Sequence, residues 1–482
     1  MAVRKATKKK TAKKTVAKKA RKAPAKKKKA PAKKAPAKKT KRSSGRSGSG
    51  TAPASGGNPA GLRVRMYRVG FGDFFLFTVP AASGPKHILI DCGVHSKDTH
   101  SIQAAVSHMA AETGKQLALI IVTHRHADHV TGFSKCKDVF KDFKVERIWM
   151  SWYENPKDAK ALAIQANIAA VATQVSHALA ARDKPEDEQY RNMVGNITEA
   201  MSATGTQNPG AFEVLRGFPG NPPISYYKAG DTPELPQDLV DAGLDAQILG
   251  PPDSNNMIKK TDSSKEEYLA SEAATEGGHI RLFSPPFWVQ PGEYSSDVLS
   301  KEDILAMQTR VATVQPDTLA ARAGVANNLI NNQSLVTLFT FKDKTLLFAG
   351  DAQWGNWANF LFGSLTGTTL KAASKAILGN LDFYKVGHHG STNATPKDAL
   401  AAMKDGCVAM CSTAIGAYNE VPRDALITAI DQKTHHQLAR SDQVEAGNAK
   451  PDKDAGALPA GVFNASTVMV GEVPCGFIDY VV

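Results

Sequence analysis

Acidic residues are missing from the first 72 positions; the first is Asp73. Residues 1–46 hold 22 Lys and Arg and no aromatic ring. Such a segment has nothing to build a core from and repels itself, so disorder is expected over 1–46. Without rings it cannot stack on single-stranded bases. Cysteine is scarce too: five in 482 residues, an odd count that argues against a disulfide framework. Cys407 and Cys411, in "CVAMC", would lie ~13 Å apart along a strand. They therefore read as core thiols rather than a metal pair. No apolar run reaches about 18 residues, so no membrane span is expected. No apolar segment follows the N-terminal charges, so no secretory signal is expected either. These absences point to a reducing, cytoplasmic setting with no membrane partner.

The chain is long enough for one large domain or two to three ordinary ones. Its formal charge of +14 is misleading. Of 60 Lys and Arg, 22 sit in residues 1–46, which leaves 38 against 46 Asp and Glu, a net near −8. The body is an acidic globule and the tail is a polycation. Residues 47–60, "SGSGTAPASGGNPA", form a flexible linker. Lysines that neutralise phosphates release counterions, which gives salt-sensitive, sequence-blind binding. The tail's expected partner is therefore nucleic acid; a solubility or targeting role is the plainer alternative.

The folded part begins near Leu62. "LRVRMYRV" alternates with period two, and "FFLFTV", "KHILID", "LALIIVT" and "VERIWMS" follow as strands. Residues 157–182 read as a helix, with Ile164, Ile168, Val171, Val175 and Leu179 at helical spacing. Residues 183–330 read as irregular. Order returns with the hairpin "SLVTLFTF-KDK-TLLFAGD", then "LDFYKV", "CVAMCST", a helix around "DALITAIDQ" and two closing strands. Strands in both halves with helices between them suggest an α/β protein of two mixed sheets covered by helices.

Three histidines and an aspartate fall within "HRHADH", directly after an apolar strand. A turn at a strand end can aim His124 and His126 into one pocket, with Asp128 and His129 opening the next element. Imidazole and carboxylate together suit zinc, manganese or iron rather than calcium or magnesium alone. Two other places can complete the set. Asp351 ends the apolar strand "LLFAGD", and a carboxylate buried there needs a cation. His388 and His389 end "FYKVG" before a glycine turn; adjacent residues seldom bind one metal, so one of the two is expected outside the ligand set. Lys385 and Ser391 flank this pair as candidate phosphate contacts.

The ordered set "VGFGD…LIDCG…THRHADH…SLVTLFTF…LLFAGD…KVGHHGS…YNEVP…RSD" resembles the metallo-β-lactamase fold. More narrowly, it is similar to the soluble hydrolase domain of the ComEC-type competence family. The N-terminal tail resembles those of histone-like proteins. The likeness covers 62–150 and 331–482. It implies an αββα sandwich with two divalent ions at one edge of the sheets. By that likeness His124 and His126 hold the first ion, and Asp128, His129 and His388 hold the second, His388 being preferred over His389. Asp351 bridges both, and Asp91 braces the histidine loop. Asp128, Asp91 and His389 are then the candidates for catalysis. Two such ions lower the pKa of a water between them and clamp a phosphoryl or carbonyl oxygen.

The chain departs from that pattern in two places. The further histidine usual for the first ion has only His177 or His279 to supply it, and "NNQS" at 331–334 stands where ComEC-like members lack it. Residues 151–330 are an extra segment, a lid or specificity subdomain. The leading functional expectation is a metal-dependent phosphodiesterase or nuclease, with possible siting on the nucleoid. The alternatives are a hydrolase of a lactone, thioester or cyclic nucleotide, and a nucleoid-associated binding protein with a non-catalytic metal site.

Overall fold

The computed structural model describes residues 61–180, 188–201, 210–263, 265–268, 316–418 and 420–482. The lysine-rich tail, the linker and His279 lie outside the described residues, as does the side chain of His177.

Among the described residues, fourteen strands form two sheets. The first runs β13–β14–β1–β2–β3–β4–β5–β6. Its members are β1 (Arg63–Tyr67), β2 (Phe74–Val79), β3 (Lys86–Cys92), β4 (Gln116–Val122), β5 (Lys144–Ser151), β6 (Ile224–Tyr227), β13 (Phe463–Val470) and β14 (Val473–Val481). The second runs β12–β11–β10–β9–β8–β7. It holds β7 (Leu244–Gly250), β8 (Val336–Phe341), β9 (Lys344–Phe348), β10 (Phe383–Lys385), β11 (Val408–Cys411) and β12 (Leu438–Arg440). β3 to β6 are parallel, as are β9 to β12; the remaining pairs are antiparallel. Parallel strands need long crossovers, which is why helices cover both outer faces.

Between the sheets lies one apolar layer, with Val64, Met66, Phe77 and Ile121 from the first facing Phe339 and Phe348 from the second. Phe77 meets Phe339 with ring centroids 5.3 Å apart. Truncating a buried phenylalanine of this kind costs about 3–5 kcal/mol. On the outer face of the first sheet, helices α1 (Ile102–Thr113) and α2 (Ala127–Lys135) bury Val106, Met109 and Phe133. On the outer face of the second, α6 (Trp354–Phe362) and α7 (Asp424–Lys433) bury Trp357, Leu361 and Leu426. The architecture is an αββα sandwich. The alternation of β1 therefore does not separate core from water. Arg65 faces outward yet is only 5% exposed, clamped by both oxygens of Asp479 at 2.6 Å beneath α1.

The irregular reading of 183–330 does not hold. β6 extends the first sheet beside β5, and β7 extends the second beside β8. Both are edge strands with partly exposed positions, so they lack the apolar runs that mark the central strands. Helices α3 (Ala159–Ala180), α4 (Glu188–Met201) and α5 (Pro316–Asn331) pack on one another through Ile168, Ile197 and Ile330. Among the described residues, no helix is long and apolar enough to cross a membrane. The five cysteines are free and buried, Cys407 and Cys411 at β11.

Candidate metal centre

The polar residues singled out in the sequence gather where strands of both sheets end. Asp91 ends β3, His124 to His129 follow β4, Asp351 follows β9, and His388 and His389 follow β10. Backbone groups at strand ends leave the ladder, so side chains there can converge on one point. Asp128, His129, Asp351 and His389 present ligand-type atoms that all lie within 4.8 Å of one another. His129 Nε2 is 3.2 Å from Asp351 Oδ2. His389 Nε2 is 3.2 Å from Asp128 Oδ2 and 3.4 Å from Asp351 Oδ2.

The surrounding contacts aim these atoms. Asp91 Oδ1 accepts from the Thr123 amide at 2.8 Å, and its Oδ2 accepts from Thr123 Oγ1 at 2.7 Å. The same Oδ2 lies 2.8 Å from His129 Nδ1, which donates to it and leaves Nε2 for the centre. His389 Nδ1 donates to the Ser412 carbonyl at 2.9 Å, so its Nε2 also turns inward. His126 caps α2, whose first turn carries Asp128 and His129. A Cβ on Gly93 would lie 2.5 Å from Asp128 C and His129 N. Only glycine lets that loop nest on this turn.

Four carboxylates, Asp73, Asp91, Asp128 and Asp351, face one lysine and two imidazoles, all at most 2% exposed. Burial by itself would push both rings down, but the carboxylates outweigh it. They raise His129 and hold His389 at about 10. Burial would raise Asp128 and Asp351; His129 and His389 keep both low. The group attracts positive charge. Burial holds His126 at about 4 and His124 well below its usual range, so the fold favours neutral rings here. His126 Nε2, Asp128 Oδ1, His129 Nε2, Asp351 Oδ1 and His389 Nε2 are all buried without a hydrogen-bond partner. Such atoms are costly unless something binds them. The donor set of imidazole and carboxylate is compatible with a divalent metal ion.

His124 and His126 stand beside this group, with His124 Nε2 and His126 Nδ1 3.0 Å apart. Ser334 Oγ lies 3.2 Å from His124 Nδ1 and accepts from the Asp351 amide at 3.0 Å. His389, rather than the preferred His388, joins the four-residue group. Both histidines adopt positive φ, 41° and 51°, and that tight turn sends their rings in different directions. Lys385 is not a phosphate contact. It is 2% exposed, donates to the Gly350 carbonyl at 3.1 Å and pairs with Asp73.

A cavity of about 240 Å³ opens over the group, and Asp128, Asp351, His389, Phe71, Asn196 and Asn331 are among its lining residues. Among the described residues, no Lys or Arg lines it. Phe71 lies against the His389 ring at 4.2 Å.

A solved metallo-beta-lactamase fold protein, YhfI from Bacillus subtilis, aligns with 78% of this chain and 96% of its own. The identity is 8% and the TM-score 0.29. A beta-lactamase domain protein from Burkholderia ambifaria aligns over 42% of this chain and 49% of its own, about half its length. There the identity is 16% and the TM-score 0.21. Similarity this loose carries no argument about fold or activity. No family model and no curated protein matches the sequence.

Three residues escaped the sequence reading. Asp73 ends the quoted "VGFGD", yet its role needed the tertiary contacts: its amide donates to the Asp128 carbonyl at 2.9 Å, and its carboxylate faces Lys385. Asn196 of α4 accepts from the Asp128 amide at 3.3 Å, which ties that helix to the centre. Arg125, between two candidate ligands, is clamped by Glu154 with Nε–Oε1 at 2.8 Å. This buried pair holds the histidine loop from behind.

Proposed function

We propose that the protein is a metal-dependent hydrolase of phosphodiesters, with nucleic acid as the polymeric substrate. The observation that carries the reading is the convergence of five buried, unpartnered imidazole and carboxylate atoms beneath an open cavity. Asp128, His129, Asp351 and His389 would hold one divalent ion, and His124 and His126, with Asp351, a second. Zinc suits these donors, with manganese or iron as alternatives. When bound, the ions supply Lewis acidity toward a phosphoryl oxygen and lower the pKa of water. The chain's own part is orientation. Asp91 keeps a proton on His129 Nδ1, the Ser412 carbonyl keeps one on His389 Nδ1, and Phe71 covers one flank of the centre.

The preference for polyanions rests on charge. A body near −8 repels DNA and RNA, and a tail of 22 cations attracts them, in keeping with a place on the nucleoid. One observation favours the second reading, a small-molecule ester hydrolase: the cavity is compact, and among the described residues no Lys or Arg lines it.

Four proteins separate these readings: the full chain and residues 47–482, each with and without Asp128→Ala. They are assayed on bis(p-nitrophenyl) phosphate, single-stranded DNA and a lactone panel at several salt concentrations. The proposal expects phosphodiester cleavage that needs Asp128, with the tail needed only on polymers at low salt. Cleavage indifferent to Asp128→Ala would sink the metal chemistry. DNA affinity indifferent to tail removal would sink the tail's role.

A further inference from the structure

The cavity has a second chemistry that the metal reading does not use: asparagines 327, 328 and 331 on α5 and Asn196 on α4 line it. The orientation of two of these carboxamides follows from the bonds around His388. Asn393 Nδ2 donates to the Thr261 carbonyl at 3.3 Å and to Asp262 Oδ1 at 3.0 Å. Its Oδ1 is therefore the atom turned toward His388, and it accepts from Ser391 Oγ at 3.1 Å. Ser391 has spent its proton there, so His388 Nδ1, 2.6 Å from Ser391 Oγ and 3.1 Å from Asn393 Oδ1, must be the donor. Gln353 Nε2, 3.5 Å from the same nitrogen, is too far to compete. His388 Nε2 is then an acceptor, and it takes the N–H of Asn331 Nδ2 at 2.9 Å. That leaves Asn331 Oδ1 as the unused acceptor of a residue that lines the cavity. Asn331 is 1% exposed, and this oxygen has no hydrogen-bond partner.

Asn328, one helical turn earlier on the same face, is set the opposite way. Its Oδ1 accepts from Gln353 Nε2 at 3.2 Å, which leaves its Nδ2–H. The helix thus presents a donor and an acceptor side by side. A phosphate offers only acceptors. A nucleobase edge offers an acceptor and a donor together, and carboxamides match such edges. A volume of about 240 Å³ falls below the roughly 300–1,000 Å³ of pockets for drug-sized ligands. It has room for one ring and its attached group, not a stack.

We propose that Asn328 and Asn331 read the edge of a single nucleobase beside the scissile bond, with His388 as the positioning residue that orients Asn331. This rests on the phosphodiesterase reading for its substrate, but its test does not. The full chain, with the metal it carries on purification, is titrated calorimetrically with adenosine, cytidine and ribose 5-phosphate. Both nucleosides are expected to bind. Asn331→Leu, and the isosteric Asn331→Asp, which cannot donate to His388, should weaken them about ten- to a hundredfold. His388→Gln keeps an acceptor for Asn331 and should retain nucleoside affinity, whereas His388→Leu should lose it; a merely structural role would not separate these two. Nucleosides that fail to bind, or that bind equally well to folded Asn331 variants, would overturn the inference. Phosphodiester cleavage without nucleoside binding defeats this inference alone. Nucleoside binding that depends on Asn331, without cleavage, defeats the hydrolase reading and leaves this one standing.

Discussion

Replacing Asp91 by asparagine tests whether His129 is set for a cation by its outer partner. Asp91 Oδ1 holds the Thr123 amide at 2.8 Å, and its Oδ2 holds His129 Nδ1 at 2.8 Å. Asparagine is the right probe because Asp91 sits at φ 54°, a left-handed conformation that asparagine tolerates and alanine resists. The substituted side chain keeps an oxygen for Thr123 but turns an N–H toward His129 Nδ1. That nitrogen must then accept, and the ring proton moves to Nε2, the atom 3.2 Å from Asp351. A protonated Nε2 has no lone pair for a metal. Losing an outer partner of a metal-binding histidine costs about 10–100-fold in affinity, or about 1.4–2.8 kcal/mol at 1.4 kcal/mol per decade. Competition with a chromophoric zinc chelator reads this directly. An affinity within about threefold of wild type, in a variant that unfolds as cooperatively, would refute the claim that Asp91 sets the tautomer.

Three further outcomes follow from buried contacts. Gly93→Ala pushes a methyl group into the backbone of Asp128 and His129; we expect about 1–3 kcal/mol of destabilisation in urea and weaker metal binding. Lys385→Met removes the ammonium paired with buried Asp73 and should cost about 3–5 kcal/mol, most of it recovered when Asp73→Asn is added. Burial holds His87 at about 4 against 6.5 unfolded, so the fold favours the neutral ring. Its share of stability is intact above pH 6.5 and falls as the pH drops from 6.5 toward 4, by up to about 3 kcal/mol. His87→Gln should flatten the stability profile in that window, measured by urea unfolding in chelator; an unchanged slope would contradict it.

The central strands were legible because apolar runs such as "LALIIVT" and "TLLFAGD" end on a polar residue, and both ends lie at the site. β6, β7 and β12 were not. They are short or half-exposed edges, whose pairing is decided by the neighbouring strand rather than by their own composition. His388 and His389 look alike in sequence. Two positive-φ residues in succession decide which ring enters the centre, and no spacing rule encodes that turn. Lys385 reads as a candidate phosphate contact until Asp73, more than 300 positions away, is placed beside it. Nothing in the sequence pairs Asn328 with Asn331; Asn331 is oriented through the relay from Asp262, and Asn328 by Gln353.

The central claim is that Asp128, His129, Asp351 and His389 bind a divalent metal. Its most direct test is elemental analysis of the full chain after exhaustive dialysis, beside Asp351→Ala, His389→Ala and His388→Gln. Bound zinc, manganese or iron is expected in the wild-type chain. Loss of metal is expected from Asp351→Ala and His389→Ala, and retention by His388→Gln. A folded wild-type chain that holds no metal when offered each of these ions, or a loss that follows His388 and spares His389, would contradict the claim.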